Sequence, residues 1–422
     1  MASRLTDFSA IRGAFSNRNF ALYAAGNAVS LIGLWVQRLA VGYLAWQLTK
    51  SGFWLGAVAF ADLFPVILIG PIGGVLADRH NPQRILLICQ CLAMAQVAAL
   101  FVLTATDMIN IELLFSLALF HGIIVAFSQP ARLSFIPLLV RKQNLTAAVA
   151  ISSIMFNGAR FVGPAVAGFI ISVYGVAPAF AFDTVTYLAM IAALAAIRIT
   201  VPSRDHKERR SVLADVREGM AYTAAHPAIG PLLLILVAIC VLARPALELL
   251  PGFADAVFGM GAGGLATLTS AVGLGAISGG LWLAQRGRLE GLTRIALVSG
   301  GISGLAVLVF ATTTWFPLAV LATAVAGFTM VSCGVGTQTL LQAAVDDRMR
   351  GRVLSLWGVI FRGGPAIGAL TMGALSGPFG LVLPVAGGGL LCLVWAAVML
   401  PRRHRLAAGL EASAMGDRPV GA

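Results

Sequence analysis

Four charged side chains lie where the sequence is otherwise apolar: two arginines, Arg38 and Arg244, and two carboxylates, Asp62 and Glu248. A charge at the centre of a membrane span costs about 2.5 to 3.5 kcal/mol on insertion scales, and such residues are by default functional. A carboxylate that alternates between an arginine and a proton can link protonation to a change of conformation. The four residues therefore predict a central site for proton coupling. A static ion pair that locks the fold is the alternative interpretation.

The predicted helices decide which of these charges can meet. Arg38 and Asp62 lie in consecutive apolar segments, each about ten residues, or roughly 14 Å, from the same end. Two antiparallel helices joined by a short loop would bring these side chains together. Arg244 and Glu248 are four residues apart in one segment, which places both on one face of an α-helix. Each arginine thus has a candidate carboxylate, supplied by the next helix for Arg38 and by the same helix for Arg244.

The composition is that of a membrane protein. The chain has 422 residues, of which 59% are hydrophobic and only 11% are charged, whereas soluble domains average about 25% charged residues. The apolar runs reach about 20 residues or more, which is enough to cross a hydrocarbon core of roughly 30 Å. The segment 1–18 is polar and mixed in charge, which is not typical of a cleavable signal peptide. The sequence therefore predicts an all-α membrane protein.

Twelve apolar runs predict twelve transmembrane helices, spans 1 to 12. Their predicted limits are 20–48, 53–76, 84–104, 111–132, 145–173, 177–199, 228–252, 262–284, 292–311, 315–341, 353–376 and 381–400. The pair Gly73-Gly74 at the end of span 2 recurs as Gly279-Gly280 at the end of span 8, with the offset of 206 residues that also separates Arg38 from Arg244. A repeat of half the chain length is typical of transporters built from two homologous bundles.

The repeat predicts a chain of four parts. Two pseudo-symmetric six-helix bundles occupy 1–199 and 228–400, and a cytoplasmic linker at 200–227 joins them. The charged residues of the linker are expected to form a solvated face, and its second part, from Leu213 to Tyr222, has helical character. The tail at 401–422 is small and polar, and we expect it to be disordered.

The net charge of +12 follows from an uneven distribution of basic residues rather than from a nucleic-acid-binding surface. Of the 29 lysines and arginines, all but five fall in the N-terminal segment, the tail or alternate loops. The five exceptions are Lys50 and the intramembrane arginines Arg38, Arg160, Arg244 and Arg362. This is the positive-inside pattern, and it predicts a membrane protein with both termini in the cytoplasm.

The loop after span 2 carries a motif that reads GGVLADRHNPQR from Gly73. It resembles the cytoplasmic loop motif of the major facilitator superfamily, in which Gly74, Asp78 and Arg79 would form a gate. Glycine permits close helix approach, and charges at a helix end can interact with the helix dipole or with a neighbouring span. Asn81 replaces a later glycine of the motif and can adopt a left-handed turn. A simple positive-inside turn is the alternative.

Span 5 carries a second motif, which reads NGARFVGPAVAG from Asn157. It resembles the motif associated with antiporters in the same superfamily, and its residues are Gly158, Arg160, Gly163, Pro164 and Gly168. Small residues allow spans to pack closely, and proline kinks a helix. A related Gly-Pro pair follows Arg362 in span 11. Tight packing without a link to the direction of transport is the alternative.

Other polar residues lie in spans that line the central cavity in this superfamily: Asn27, Gln37, His121 and Gln338. His121 can bind substrate or relay protons. A satisfied hydrogen bond between helices is the alternative for each of them. Asp183 lies two turns inside span 6, and we expect it to face interfacial water.

The resemblance extends over nearly the whole chain. The stretch DDRMRGRVLSLW from Asp346 and the start NRNF from Asn17 are similar to the branch that contains bacterial enterobactin exporters and transmembrane secretion effectors. This resemblance implies the twelve-helix major facilitator fold and a monomeric, proton-coupled exporter of a small organic molecule, drug-like or siderophore, in the bacterial inner (plasma) membrane. Metabolite uptake, facilitated diffusion and a non-transporting receptor on the same fold are the alternatives.

Several motifs of other protein classes do not occur in the sequence. It contains no phosphate-binding G-x-x-x-x-G-K-[ST] motif and no nucleophile elbow, and its five cysteines lie in apolar runs without metal-ligand spacing. We therefore predict no enzyme activity, no cofactor and no metal.

Overall fold

The computed structural model describes residues 13–199 and 212–411. Within these ranges the chain forms helices joined by short turns, and twelve of the helices are long and apolar enough to cross a membrane. Helices satisfy every backbone polar group internally, which the hydrocarbon core demands. The all-α fold class and the number of predicted spans are confirmed.

The spans of the first half follow the predicted limits closely, except that span 4 continues beyond the predicted residue 132 to Leu139. Span 1 is a single helix, Arg18–Thr49, and span 2 consists of two helices, Gly52–Leu63 and Pro65–Arg79. Spans 3 to 6 are Pro82–Ala105, Ile111–Leu139, Leu145–Tyr174 and Val176–Ala196.

The second half follows the prediction as closely. Spans 8 to 12 are Gly261–Arg286, Leu292–Thr312, Phe316–Ala344, Asp347–Phe379 and Val382–Met399. A linker helix, Val212–Ala225, precedes span 7, and a tail helix, Arg403–Leu410, follows span 12.

Span 7, Ile229–Val257, is irregular. It begins as an α-helix, passes through a π turn and a 3-10 turn, and ends in a second π turn. Pro245 and Pro251 lie inside it. Proline has no amide hydrogen and clashes with the carbonyl four residues earlier, so it breaks the regular hydrogen-bond ladder.

The chain divides into two compact units. The first comprises Met1–Leu48 and Pro65–Lys207, and the second comprises Thr49–Phe64 and Glu208–Ala422. The division near residue 207 falls within the predicted linker. The first helix of span 2 belongs to the second unit, although the sequence predicted all of span 2 in the first bundle. It packs on span 11, where a Cβ atom on Gly373 would lie 2.6 Å from the carbonyl oxygen of Gly52.

The repeated Gly-Gly pairs mark equivalent helix contacts in the two units. In the first unit, a Cβ atom on Gly73 would overlap the carbonyl oxygen of Ala126 in span 4. In the second unit, a Cβ atom on Gly279 would lie 2.5 Å from the carbonyl oxygen of Phe328 in span 10. Close backbone approach at small residues is the usual means of helix association in lipid. The sequence assigned this approach to Gly74, which was wrong: nothing lies within 4 Å of a Cβ placed there.

The linker helix packs in the second unit through polar contacts. Glu218 forms an ion pair with Arg352 of span 11 at 2.8 Å, and the hydroxyl of Tyr222 donates to Asp346 at 3.3 Å. The predicted helical character of this segment is confirmed. Its predicted solvated face is only partly testable, because the charged residues at 200–211 lie outside the described residues.

The tail differs from the prediction. Residues 403–410 are helical, with Leu406 and Leu410 buried. The carboxylate of Glu411 accepts hydrogen bonds from the amides of Gly291 and Thr293 at 2.7 and 2.8 Å. These amides begin span 9 and have no partner in their own helix, so the carboxylate caps it. The disorder expected for 401–422 is therefore wrong as far as Glu411, and 412–422 lie outside the described residues.

His226 connects the linker helix to span 7. Its Nδ1 accepts hydrogen bonds from the amides of Ala228 and Ile229, both at 3.2 Å, which requires a neutral ring with the proton on Nε2. Burial lowers the pKa of His226 below its usual value, against the opposing effect of Asp346. Protonation would remove the acceptor that caps the start of span 7.

We expect alanine at Gly73 to be much more damaging than alanine at Gly74. Gly73→Ala pushes a methyl group into the backbone of span 4, at a cost of about 1–3 kcal/mol. Gly74→Ala enters open space and gains helix propensity, so its effect is neutral or slightly stabilising. Thermal unfolding of the purified variants in detergent measures both. Equal losses in the two variants would contradict the assigned contact.

We expect the stability of the protein to fall as the pH decreases below about 6.5, the ordinary pKa of histidine. The pKa of His226 is lowered in the folded state, so the unfolded state binds more protons in that range and is favoured there. His226→Asn keeps an acceptor in place of Nδ1 and does not titrate, so it should reduce the slope of melting temperature against pH. His404→Asn, at an exposed residue of the tail helix, is the control. An unchanged slope in His226→Asn would disprove the assignment.

Candidate functional site

Two arginines of the first unit flank one tryptophan. The guanidinium carbons of Arg38 in span 1 and Arg160 in span 5 lie 5.6 and 5.5 Å from the centroid of the Trp35 ring. Phe156 meets the same ring edge-on at 5.8 Å. Contact with an aromatic face stabilises a cation by about 0.5–2 kcal/mol, more when it is desolvated. The sequence identified both arginines but did not join them through Trp35.

The Gly-Pro motif of span 5 brings this cluster together. A Cβ atom on Gly163 would overlap the Cβ atom of Trp35 and lie 3.1 Å from the carbonyl oxygen of Ile32. The glycine therefore lets span 5 approach span 1 one turn beyond Arg160. Pro164 and Gly168 are buried in the same helix, whereas Gly158 has open space around it. The motif supports a helix contact, and its link to antiport stays a prediction.

The second unit holds a related arrangement between span 7 and span 11. The guanidinium carbon of Arg244 lies 4.4 Å from the centroid of the Phe361 ring, and Nη1 donates to the Phe361 carbonyl oxygen at 2.8 Å. Trp357 stacks on Phe361 with a centroid distance of 4.8 Å, and its indole nitrogen donates to Thr337. Arg362 is the next residue of span 11.

Glycines again set the approach of the two helices. A Cβ atom on Gly364 would lie 2.6 Å from the Cβ atom of Cys240, and one on Gly368 would overlap the carbonyl oxygen of Val241. Cys240 precedes Arg244 by one turn of span 7. The contact between spans 7 and 11 is thus the counterpart of the contact between spans 1 and 5.

The structure has different consequences for the two predicted arginine–carboxylate pairs. Arg38 and Asp62 fall in different compact units, so their pairing stays a prediction. The α-helical spacing assumed for Arg244 and Glu248 is wrong, because Arg244–Leu247 is a 3-10 turn in which the amide of Glu248 bonds to Pro245. Pro245 breaks the regular backbone hydrogen bonding of the helix, which residue spacing alone did not reveal. Arg244 contacts Phe361. Whether Asp62 and Glu248 titrate also stays a prediction.

A polar cluster crosses the interior of the first unit. Gln37 of span 1 donates to Gln96 of span 3 at 2.9 Å, and Gln96 donates to the carbonyl oxygen of Leu117 in span 4 at 3.3 Å. His121 lies one turn beyond Leu117 and is half-buried. Both glutamine side chains are 3% exposed or less overall. The cluster thus joins three helices through side-chain amides.

Asp183 of span 6 belongs to the same interior. The sequence predicted that it faces interfacial water, which was wrong: its exposed fraction is 0%. The hydroxyl of Thr186 bonds to Oδ1 at 2.9 Å, and His121 is near enough to act on the carboxyl electrostatically. The spacing of Asp183 and Thr186, together with Gly33 opposite them in span 1, is the signal that sequence reasoning missed.

Asn27 and Gln338 are the remaining residues that the sequence predicted to line a cavity. Asn27 is buried in span 1, with 3% of its surface exposed. Gln338 is half-buried in span 10. Their roles in lining a cavity stay predictions.

The gate motif ends span 2 at the predicted loop. Asp78 and Arg79 are exposed at the end of the helix. The sequence suggested a left-handed turn at Asn81, but the residue does not adopt one. Its backbone is extended, with φ −64° and ψ 113°, and its side chain caps span 3 through the amides of Gln83 and Arg84. In the turn that follows the second Gly-Gly pair, after span 8, Gly287 adopts the left-handed conformation, with φ 57°.

The opposite end of span 2 carries an ion pair that the sequence did not predict. Lys50 Nζ lies 2.7 Å from Oδ2 of Asp255 at the end of span 7, within the second unit. Their side chains are 60% and 34% exposed. Exposed pairs of this kind contribute about 0–1 kcal/mol, so the pair orients the loop more than it stabilises the fold.

The helical architecture is that of major facilitator transporters. The peptide transporter POT in complex with sulfate aligns with a TM-score of 0.73 at 14% identity, over 95% of this chain and 99% of its own. A bacterial homologue of the human lysosomal transporter Spinster aligns with a TM-score of 0.69 at 15% identity, over 97% and 99% of the two chains. At these identities the likeness concerns the fold.

Residues 10–418 match the family described as transmembrane secretion effector, and the chain belongs to that family. It is therefore a multi-pass membrane transporter and not an enzyme. The enterobactin exporter EntS of Salmonella choleraesuis is 26% identical over 385 residues, which cover 91% of this chain and 89% of the relative. The staphyloferrin A transporter of Staphylococcus aureus is 29% identical over 161 residues, or 38% of this chain and 41% of the relative.

We expect Arg244→Lys to destabilise the protein by about 1–2 kcal/mol, because an ammonium group lacks the planar surface that stacks on an aromatic ring. Arg294→Lys, at an exposed residue of span 9, is the control and should change little. Thermal unfolding in detergent measures both. A double-mutant cycle with Phe361→Leu tests the contact itself, and additive losses would show that Arg244 and Phe361 do not interact.

Proposed function

We propose that this protein is a secondary active transporter that exports small organic anions in exchange for protons. The observation that carries the proposal is the placement of arginines on aromatic rings inside the spans of each unit. Guanidinium groups bind carboxylates and other planar anions through parallel hydrogen bonds, and the adjacent rings offer a surface for aromatic or apolar parts of a ligand. A charged side chain within a membrane span is energetically unfavourable, so a cation there usually has a function such as binding a substrate or an ion.

The class of cargo follows from the chemistry of these clusters and from the relatives. Two relatives are described by their siderophore cargo, enterobactin and staphyloferrin A. A siderophore-like or drug-like anion that combines acidic oxygens with apolar or aromatic groups fits both the cations and the rings. In the first unit, Arg38 and Arg160 would hold acidic groups and Trp35 would contact apolar parts of the cargo. In the second unit, Arg244 and Phe361 would have the corresponding roles.

Export rather than uptake is supported by the antiporter-like motif of span 5 and by the exporter named among the relatives. Asp62 and Glu248 are the proposed proton-coupling carboxylates, and Asp78 and Arg79 are the proposed cytoplasmic gate. Rocking of two six-helix bundles around a central site is the mechanism that the internal repeat favours. The protein would act as a monomer in the bacterial inner membrane, with both termini in the cytoplasm.

We expect proton-driven transport to depend on the two carboxylates. The assay uses inside-out membrane vesicles with an acidic interior and iron-free enterobactin as the probe. The wild type should accumulate the probe and release protons, seen as a rise of internal pH. Asp62→Asn and Glu248→Gln each remove a proton-binding group, so accumulation should fall to the level of vesicles whose gradient has been collapsed.

The control variant is Glu112→Gln, which neutralises an exposed acid at the outer end of span 4 and should transport normally. Undiminished accumulation in both Asp62→Asn and Glu248→Gln would refute their coupling role. Equilibration of the probe without any effect of the gradient would favour facilitated diffusion. No flux of enterobactin or of staphyloferrin A would favour a receptor.

A further inference from the structure

A carboxyl group in the first unit is enclosed on all sides. Asp183 has no exposed surface. The single proton of the Thr186 hydroxyl is shared between Oδ1 and the backbone carbonyl of Asp183, both at 2.9 Å. The second oxygen, Oδ2, has no hydrogen-bond partner within the described part of the chain. An ionised carboxylate with one bare oxygen is strongly unfavourable in such surroundings, whereas a protonated carboxyl is not.

Span 1 packs directly against this carboxyl group. Gly33 of span 1 faces Asp183 so closely that a Cβ atom there would overlap Oδ1 and the Thr186 hydroxyl. Gln37 lies one turn further along span 1, and its Oε1 is also without a partner among the described residues. Two buried acceptors, one on span 6 and one on span 1, therefore lack a donor among the described residues. A proton on Oδ2 would make Asp183 a hydrogen-bond donor.

Among the charged and titratable groups near Asp183, His121 of span 4 is close enough to act on the carboxyl electrostatically. The hydrogen bond that the carboxyl receives comes from Thr186. Span 3 presents the amides of Gln90 and Gln96 and the buried thiol of Cys89. The arginines of spans 1 and 5, Arg38 and Arg160, lie against the Trp35 ring. On span 6 itself, Tyr187 is the nearest titratable neighbour in sequence.

We propose that Asp183 takes up and releases one proton at Oδ2 during each transport cycle. In the uptake step an O–H bond of a hydronium ion breaks and an O–H bond forms on Oδ2. The products are water and a neutral carboxyl group, and release follows the reverse order.

The role in transport rests on the proposed proton antiport, whereas protonation of Asp183 does not, and the two are measured separately. Protonation is followed in the purified wild type in lipid by infrared difference spectra at varied pH. Aspartate labelled with carbon-13 at its side-chain carboxyl identifies the C=O stretch of a protonated aspartic acid. We expect a titrating aspartic acid band that Asp183→Asn removes, that Glu112→Gln leaves unchanged, and whose midpoint moves in His121→Gln.

A band that survives in Asp183→Asn would show that it comes from another aspartic acid. A band present at every pH in the wild type would show that the carboxyl is permanently neutral. Either result would overturn the inference. If Asp183→Asn does not fold, Thr186→Val provides the second test. It removes the hydroxyl that bonds to Oδ1 and should shift the midpoint, and an unshifted midpoint counts against Asp183.

Transport by the same variants separates the two proposals. With iron-free enterobactin in the vesicle assay, Asp183→Asn should retain exchange of labelled for unlabelled probe and lose accumulation driven by the pH gradient. Accumulation at the wild-type level in Asp183→Asn would exclude its role in coupling. If the wild type itself shows no gradient-driven transport, the proposed antiport fails, and the infrared titration still decides whether Asp183 binds a proton.

Discussion

The cost of placing guanidinium groups in apolar helices is the constraint on which the interior of this protein depends. A charge in a span needs a partner that hydrocarbon cannot supply. Arg38 and Arg160 find theirs on the face of Trp35, and Arg244 on the ring and carbonyl group of Phe361. Each arrangement holds two particular helices together, spans 1 and 5 or spans 7 and 11. The cation sites are therefore also packing sites, and a ligand that competes for an arginine acts on a helix contact.

Close backbone contact makes these arrangements possible. Lipid tails are as apolar as the side chains, so helices associate through fit rather than through the hydrophobic effect. Gly163 and Gly364 bring spans 5 and 11 against their partners, and Gly73 and Gly279 do the same for spans 2 and 8. The two units are alike in these contacts. They differ where span 7 is broken by proline and where Thr49–Phe64 joins the second unit.

Much of the fold was predictable from the sequence because its signals are local and periodic. The lengths of the apolar runs predicted all twelve spans. The offset of 206 residues predicted the repeat, and Gly73 and Gly279 make equivalent helix contacts in the two units. Predictions failed where a neighbour in space decides the outcome. Gly74 was preferred to Gly73 because the sequence does not show which side of a helix meets span 4. Asp183 was predicted to face water because the sequence shows how deep it lies in span 6 but not which residues surround it.

The sequence by itself determined that this is a twelve-span membrane protein of repeated design with costly charges in its spans, since length, composition and the cost of burial need no partner to be known. Only the tertiary structure decided which groups meet those charges. Arg244 and Glu248 are four residues apart in sequence, but Pro245 replaces the α-helical turn between them with a 3-10 turn, and Arg244 meets Phe361 from a helix more than a hundred residues away. The reason is physical: a buried charge is stabilised by whatever lies within a few ångströms, and in a helical bundle most such neighbours come from other helices.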